Sequence, residues 1–139
     1  MKIAVVDGQG GGIGRSLIEK IRAQLKDVYI IALGTNSVAT AQMIKGGAND
    51  GATGENAIIY NVKNVDIITG GVAIMAANSM HGELSPAIAV AVGSSDACKI
   101  LLPLNRCNIN VALTAADKLS DQLDSAVALM KNYIEQNKK

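Results

Sequence analysis

The stretch KIAVVDGQGGGIGR, residues 2–15, decides how this chain is read. Lys2 to Val6 is a short apolar run bounded by Asp7 and Gly8, the pattern of a central strand. From Ile13 the spacing changes. Ile13, Leu17, Ile18, Ile21 and Leu25 recur every three or four residues, which predicts an amphipathic helix over 13–26. Between the two, five of the seven residues 8–14 are glycine. Inside regular structure each glycine costs roughly 0.5–1 kcal/mol of backbone entropy. A loop gains from them where it turns sharply and brings main-chain N–H groups up to a ligand. Strand, glycine loop and helix in that order form a phosphate- or dinucleotide-binding unit, because the unpaired N–H groups at a helix start attract an anion.

Working outward, VYIIAL at 28–33 reads as a second strand closed by Gly34. Asn36 or Ser37 caps a short helix that runs to about Lys45 and stops at Gly46 and Gly47. GGANDGATGENA, 46–57, is a polar glycine-rich connection, followed by a brief strand near Ile58 to Tyr60. VDIIT at 65–69 and KILLP at 99–103 are further strands, and NINVAL at 108–113 is a candidate sixth. Residues 72–93 read as one or two buried helical segments, broken near Gly82 and Pro86, with Ser85 as cap. The last helix carries Leu119, Leu123, Val127, Met130 and Ile134 on one face, with Ser120 as expected N-cap. Strands alternating with helices through short glycine connections imply right-handed βαβ units and a mainly parallel sheet of five or six strands. The expected strand order is 3-2-1-4-5. No repeat or linker divides residues 1–139, so one domain is expected.

Composition narrows the function classes. A formal charge of +1, with three Tyr and no Phe or Trp, argues against a nucleic-acid binder, which needs a basic stripe and stacking aromatics. The apolar run before Asp7 is too short for a signal peptide, and the stretch Ala87 to Val92 falls far below a membrane span. A cytoplasmic location is therefore expected, without a membrane partner. Cys98 and Cys107 form no CxxC pair, so neither zinc nor a disulfide framework is indicated and no metal is expected. Buried free thiols are the simpler reading, with a reactive Cys107 as the alternative. Charged residues make up only 18% of the chain against 49% hydrophobic, which leaves enough apolar surface to expect a homo-oligomer such as a homodimer.

The loop itself is not a Walker A motif: no GK[ST] follows, and Lys20 lies well inside the helix. It also departs from strict GxGxxG spacing. Gly8, Gly12, Ile13 and Gly14 instead resemble the TGxxxGIG loop of short-chain dehydrogenases, with Asp7 where their Thr stands. The resemblance implies that Gly8, Gly12 and Gly14 carry the turn, and that Gln9, Gly10 and Gly11 lie against an adenosine ribose. Arg15, a cation opposing the helix dipole, is expected to meet a bound phosphate. The acidic residue that holds the ribose in an NAD site is replaced by Thr35 and Asn36, and the Tyr-xxx-Lys catalytic pair is missing. That activity is not carried over. NAD(P) or another nucleotide remains the expected cofactor.

Ligands of open α/β sheets collect beyond the C-terminal strand ends. This rule adds Asn78, His81 and Glu83 from ANSMHGE, 77–83, and Arg106 from PLNRCN. His81 is the sole histidine, the residue type suited to proton transfer near neutral pH, and Glu83 is placed to orient it. Arg106 is a candidate clamp for a carboxylate or phosphate.

The motifs DGQGGGIG (7–14), ALGTN (32–36), GATGENA (51–57), ANSMHGE (77–83) and LLPLNRCN (101–108) together resemble a small uncharacterised family, domain of unknown function 3842, found mainly in anaerobic Firmicutes. The resemblance implies a Rossmann-like three-layer α/β sandwich and no substrate. Three functions are carried forward. The first is a nucleotide- or dinucleotide-binding module with a regulatory role. The second is a small NAD(P)- or flavin-dependent oxidoreductase or a transferase, with His81, Glu83 or Arg106 near the reacting group. The third is a structural subunit without ligand, whose segment 72–93 forms the interface.

Overall fold

A computed structural model describes residues 1–112 and 118–138. Five strands, β1 (Lys2–Asp7), β2 (Tyr29–Gly34), β3 (Asp50–Thr53), β4 (Ile67–Gly71) and β5 (Cys98–Leu102), alternate with helices α1 (Gly12–Gln24), α2 (Ser37–Lys45), α3 (Glu55–Asn61), α4 (Pro86–Ser94) and α5 (Leu119–Gln136). The strands form one sheet in the order β3-β2-β1-β4-β5, every neighbouring pair parallel. This is the expected Rossmann-like three-layer sandwich with the expected strand order.

Its cause is visible in β1. Ile3 and Val5 point to one face, packed with Leu17, Ile18, Ile21, Val127 and Met130 of α1 and α5. Ala4 and Val6 point to the other, against Ile58, Ile88 and Val92 of α3 and α4. Helices cover both faces, so every position from Ile3 to Val6 is apolar and the two-residue alternation disappears. The chain switches between faces at β1 and β4, whose C-terminal ends open the crevice where such sheets bind ligands.

Three expected elements differ. Asp50–Thr53, read as loop, is the edge strand β3, held by parallel pairing of Ile31 with Asp50 through Gly34 with Thr53. Its residues are small or polar and largely exposed because it lies at the sheet edge, so no apolar run marks it. The strand expected at 58–60 is instead helix α3, which places Ile58 and, one turn on, Val62 in the core. Residues 108–112 form no strand, and residue 113 lies outside the described residues. The segment 72–93 is a 3₁₀ turn over Val72–Met75, a run of tight turns, then α4. Of α4 only Ile88 and Val92 are buried, and Val90 is exposed. Ser85 caps α4 with Pro86 in its first turn, and Asn36 caps α2, both as expected. Ser120 does not cap α5; that helix begins two residues earlier than such a cap would set it, at Leu119 after Lys118, without a side-chain cap. Cys107 is exposed rather than buried, and Cys98 is half-buried. No helix among the described residues is long and apolar enough to cross a membrane.

Candidate functional site at the β1–β4 crevice

The glycines of the loop divide into two groups by what a side chain would meet. A Cβ on Gly8 would come within 2.7 Å of both Met80 Sδ and Thr35 Oγ1. On Gly11, which has a φ of +73°, it would strike the backbone of Ala39 at 2.7 Å, and on Gly14 it would lie 2.5 Å from Met43 Sδ. The fold itself therefore requires these three to be glycine. Gly10 and Gly12 differ: a Cβ on either meets nothing within 4 Å. Both face open space, and nothing in the packing accounts for a bare backbone there.

Amide accounting separates the same residues. Gly8 N–H donates to Asp7 Oδ1 at 2.8 Å and Gly14 N–H to Asp7 Oδ2 at 2.7 Å. Gly11 N–H donates to Gly8 O at 3.0 Å, and Gln9 N–H to Glu83 Oε1 at 2.9 Å. The amides of Gly10, Gly12 and Ile13 have no acceptor among the described residues. They stand at or before the first turn of α1, where the helix dipole favours negative charge. Beside them lies a cleft of about 320 Å³, lined by Asp7, Ser16, Arg106 and Leu119 as well as the loop. It continues into a narrow recess of about 50 Å³ bounded by Ile13, Gly71, Ala73, Met80 and Leu104.

Two carboxylates organise this end of the sheet. Burial pushes the Asp7 carboxyl above its usual range, opposed by the Gly14 and Gly8 amides and by the charge of Arg106. Glu83 Oε1 accepts three bonds, from Gln9 N–H, from Thr35 Oγ1 at 2.7 Å and from Asn36 Nδ2 at 2.8 Å. The Gln9 amide, followed by the Thr35 hydroxyl, holds its carboxyl below the usual range. Glu83 thus fastens the turn after β4 to the glycine loop and to the end of β2. It is not directed at His81 as an orienting partner through any hydrogen bond.

The other expected residues fall into two sets. Arg106 lines both parts of the cleft, and its guanidinium has no hydrogen bond or ion pair among the described residues. Asn78 and His81 are exposed and line an adjoining recess with Gln9 and Cys107. Arg15, by contrast, is turned to α2, where Nη1 donates to Gln42 Oε1 at 2.8 Å, with Glu19 at 3.8 Å. Thr35 and Asn36 are engaged by Glu83, and Asn36 also caps α2. Asp7, which accepts the Gly8 and Gly14 amides, carries a readable signal in the sequence, an acidic residue between a buried strand and a glycine loop. Met80, Leu104 and Leu119 carried none, since separate parts of the chain bring them here.

Backbone strain gathers at the same place. Among the described residues, Gln9, Asn78, Met80, His81, Cys107 and Asn108 are the non-glycine residues with positive φ. All but Asn108 line the cleft or the adjoining recess. Such conformations cost roughly 1–2 kcal/mol each, less for asparagine, and cluster where a surface is shaped for a ligand.

Fold and site together define a doubly wound α/β protein with a glycine loop at its switch point. More narrowly, the chain belongs to the family described as Domain of unknown function (DUF3842), whose model matches residues 2–135. No functionally curated protein matches it in sequence. Among solved structures it is similar to a probable oxidoreductase from Mycobacterium abscessus, at 15% identity and a TM-score of 0.48. That likeness covers 98% of this chain and 43% of the other, so the chain spans less than half of that protein's length. It is also similar to a dodecameric FMN-dependent UbiX-like decarboxylase from Escherichia coli O157:H7, at 13% identity and a TM-score of 0.40, covering 98% and 93% of the two chains.

Proposed function

We propose that this protein binds a phosphorylated small molecule, of nucleotide size or smaller, at its glycine loop. The phosphate lies on the amides of Gly10, Gly12 and Ile13, and Arg106 reaches it from across the cleft. The observation that carries this reading is the pair of glycines the fold does not need. Gly10 and Gly12 leave open a space that any Cβ would begin to fill, directly over amides without an acceptor. A helix start with bare N–H groups suits an anion, and a guanidinium supplies paired donors for phosphate oxygens.

Calorimetric titration with inorganic pyrophosphate, a compact probe of such a cradle, tests the assignment. Gly12→Val and Arg106→Ala are each expected to weaken binding at least tenfold, which corresponds to about 1.4 kcal/mol, while circular dichroism shows an intact fold. A folded Gly12→Val variant that binds pyrophosphate as tightly as the parent would overturn the proposal.

A further inference from the structure

We infer that the cleft takes a compact, sugar-sized phosphomonoester and turns away adenine dinucleotides, because Glu83 occupies the position where a dinucleotide would place its adenosine ribose. The inference rests on the phosphate-binding reading above and specifies its ligand. In dinucleotide-binding sheets the ribose lies beside the end of the second strand, gripped by an acidic side chain about 20 residues beyond the loop. The corresponding residues here, Thr35 and Asn36, follow β2 directly. Their polar atoms are already taken. Thr35 Oγ1 and Asn36 Nδ2 donate to Glu83 Oε1, and Asn36 Oδ1 accepts the Ala39 N–H at 2.9 Å. The carboxylate comes from the turn after β4 and binds the protein's own donors.

The turn also fills the volume. Gly8 is buried, and Met80 Sδ, Thr35 Oγ1 and Glu83 Oε1 crowd the place of its missing Cβ at 2.7, 2.7 and 3.2 Å. A ribose entering there must expel Glu83 and leave its carboxylate without three donors, so each new contact replaces one already made. A site that makes the wrong ligand lose such bonds discriminates against it even where the right ligand gains nothing extra. Open space remains toward β4. There Ile13, Ala73, Met80 and Leu104 bound the recess and Arg106 stands at its mouth. A phosphate on the Gly12 and Ile13 amides can carry a short body into that recess.

The test uses the full chain, labelled with ¹⁵N and titrated separately with ribose 5-phosphate and with NAD, followed by calorimetry and amide shifts. Ribose 5-phosphate is expected to bind at least tenfold more tightly than NAD. It should shift the Gly12 and Ile13 amides and leave the Asn36 side-chain amide in place. In Glu83→Ala the affinity for NAD should rise at least fivefold, and by more than that for ribose 5-phosphate. NAD binding as tightly as ribose 5-phosphate in the parent chain, with a shifted Asn36 side chain, overturns the inference and leaves the phosphate reading intact. Unchanged NAD affinity in a folded Glu83→Ala variant overturns it as well. If neither compound moves Gly12 or Ile13, the phosphate reading itself fails and the inference falls with it.

Discussion

Gly12 and Gly14 stand two residues apart in α1, and replacing each with alanine should move stability in opposite directions. At Gly12 the new methyl meets no atom within 4 Å, and the backbone is not left-handed. Alanine there acts through the unfolded chain, whose freedom it restricts, and stabilises by about 0.4–1 kcal/mol. At Gly14 the methyl would lie 2.5 Å from Met43 Sδ, 2.8 Å from Met43 Cγ and 3.0 Å from Asp7 Cβ. Met43 is fully buried, so its sulfur has no open space to retreat into. Overpacking of this kind costs about 1–3 kcal/mol and outweighs the same backbone gain, leaving a loss of roughly 1–2 kcal/mol. In a chain of this length 1 kcal/mol moves the melting midpoint by roughly 4 °C. Gly12→Ala should therefore melt roughly 2–4 °C higher and Gly14→Ala roughly 4–8 °C lower. Calorimetric melting, with urea unfolding to confirm a common m value, reads both. A Gly12→Ala variant that melts lower than the parent would refute the reasoning, and so would an unmoved Gly14→Ala. The first result would mean that packing, not a ligand, accounts for the open Gly12, and the second that Met43 yields to a methyl at Gly14.

The two carboxylates of the crevice should give acid unfolding a resolvable shape. Glu83 is held below its ordinary value, so its contribution to stability is present above pH 4.5 and is lost as pH falls through the lower folded value. Asp7 is raised, so its ionised form costs stability at neutral pH, and that cost is relieved as pH falls through its folded value toward 3.8. Urea unfolding between pH 3 and 6 should accordingly show a shallower acid loss in Glu83→Gln and a steeper one in Asp7→Asn; identical slopes in all three proteins would contradict this. Ser85→Ala removes the hydroxyl that accepts the Ile88 N–H at 3.2 Å and donates to the Glu55 carboxylate. It should cost about 1 kcal/mol and lower the melting midpoint by roughly 4 °C. A midpoint unchanged within 1 °C, read by differential scanning calorimetry with an uncertainty of roughly that size, would show that α4 does not depend on this cap.

How much of this was legible before the fold was known depends on the range of each interaction. Strand β1, the glycine loop, α1 and the apolar faces of α1 and α5 follow from local periodicity, because a strand buried on both sides and an amphipathic helix each write their pattern into consecutive residues. The caps Asn36 and Ser85 and the strand order were likewise readable, the latter from the alternation of elements and the handedness of their connections. Strand β3 was not: an edge strand of DGAT depends on pairing with β2 rather than on its own apolar content. Nor was the start of α5, where no side-chain cap marks the boundary.

The site divides in the same way. The sequence alone singled out Gly8 to Gly14 as a candidate anion loop and brought Asn78, His81, Glu83 and Arg106 under suspicion through their place after strand ends. Only the tertiary structure decided what each does with its neighbours. It turned Arg15 toward Gln42, joined Glu83 to Gln9, Thr35 and Asn36 across 74, 48 and 47 residues, and left Gly10 and Gly12 facing open space. Hydrogen bonds of that span are formed by the packing of whole layers, and no local pattern encodes them.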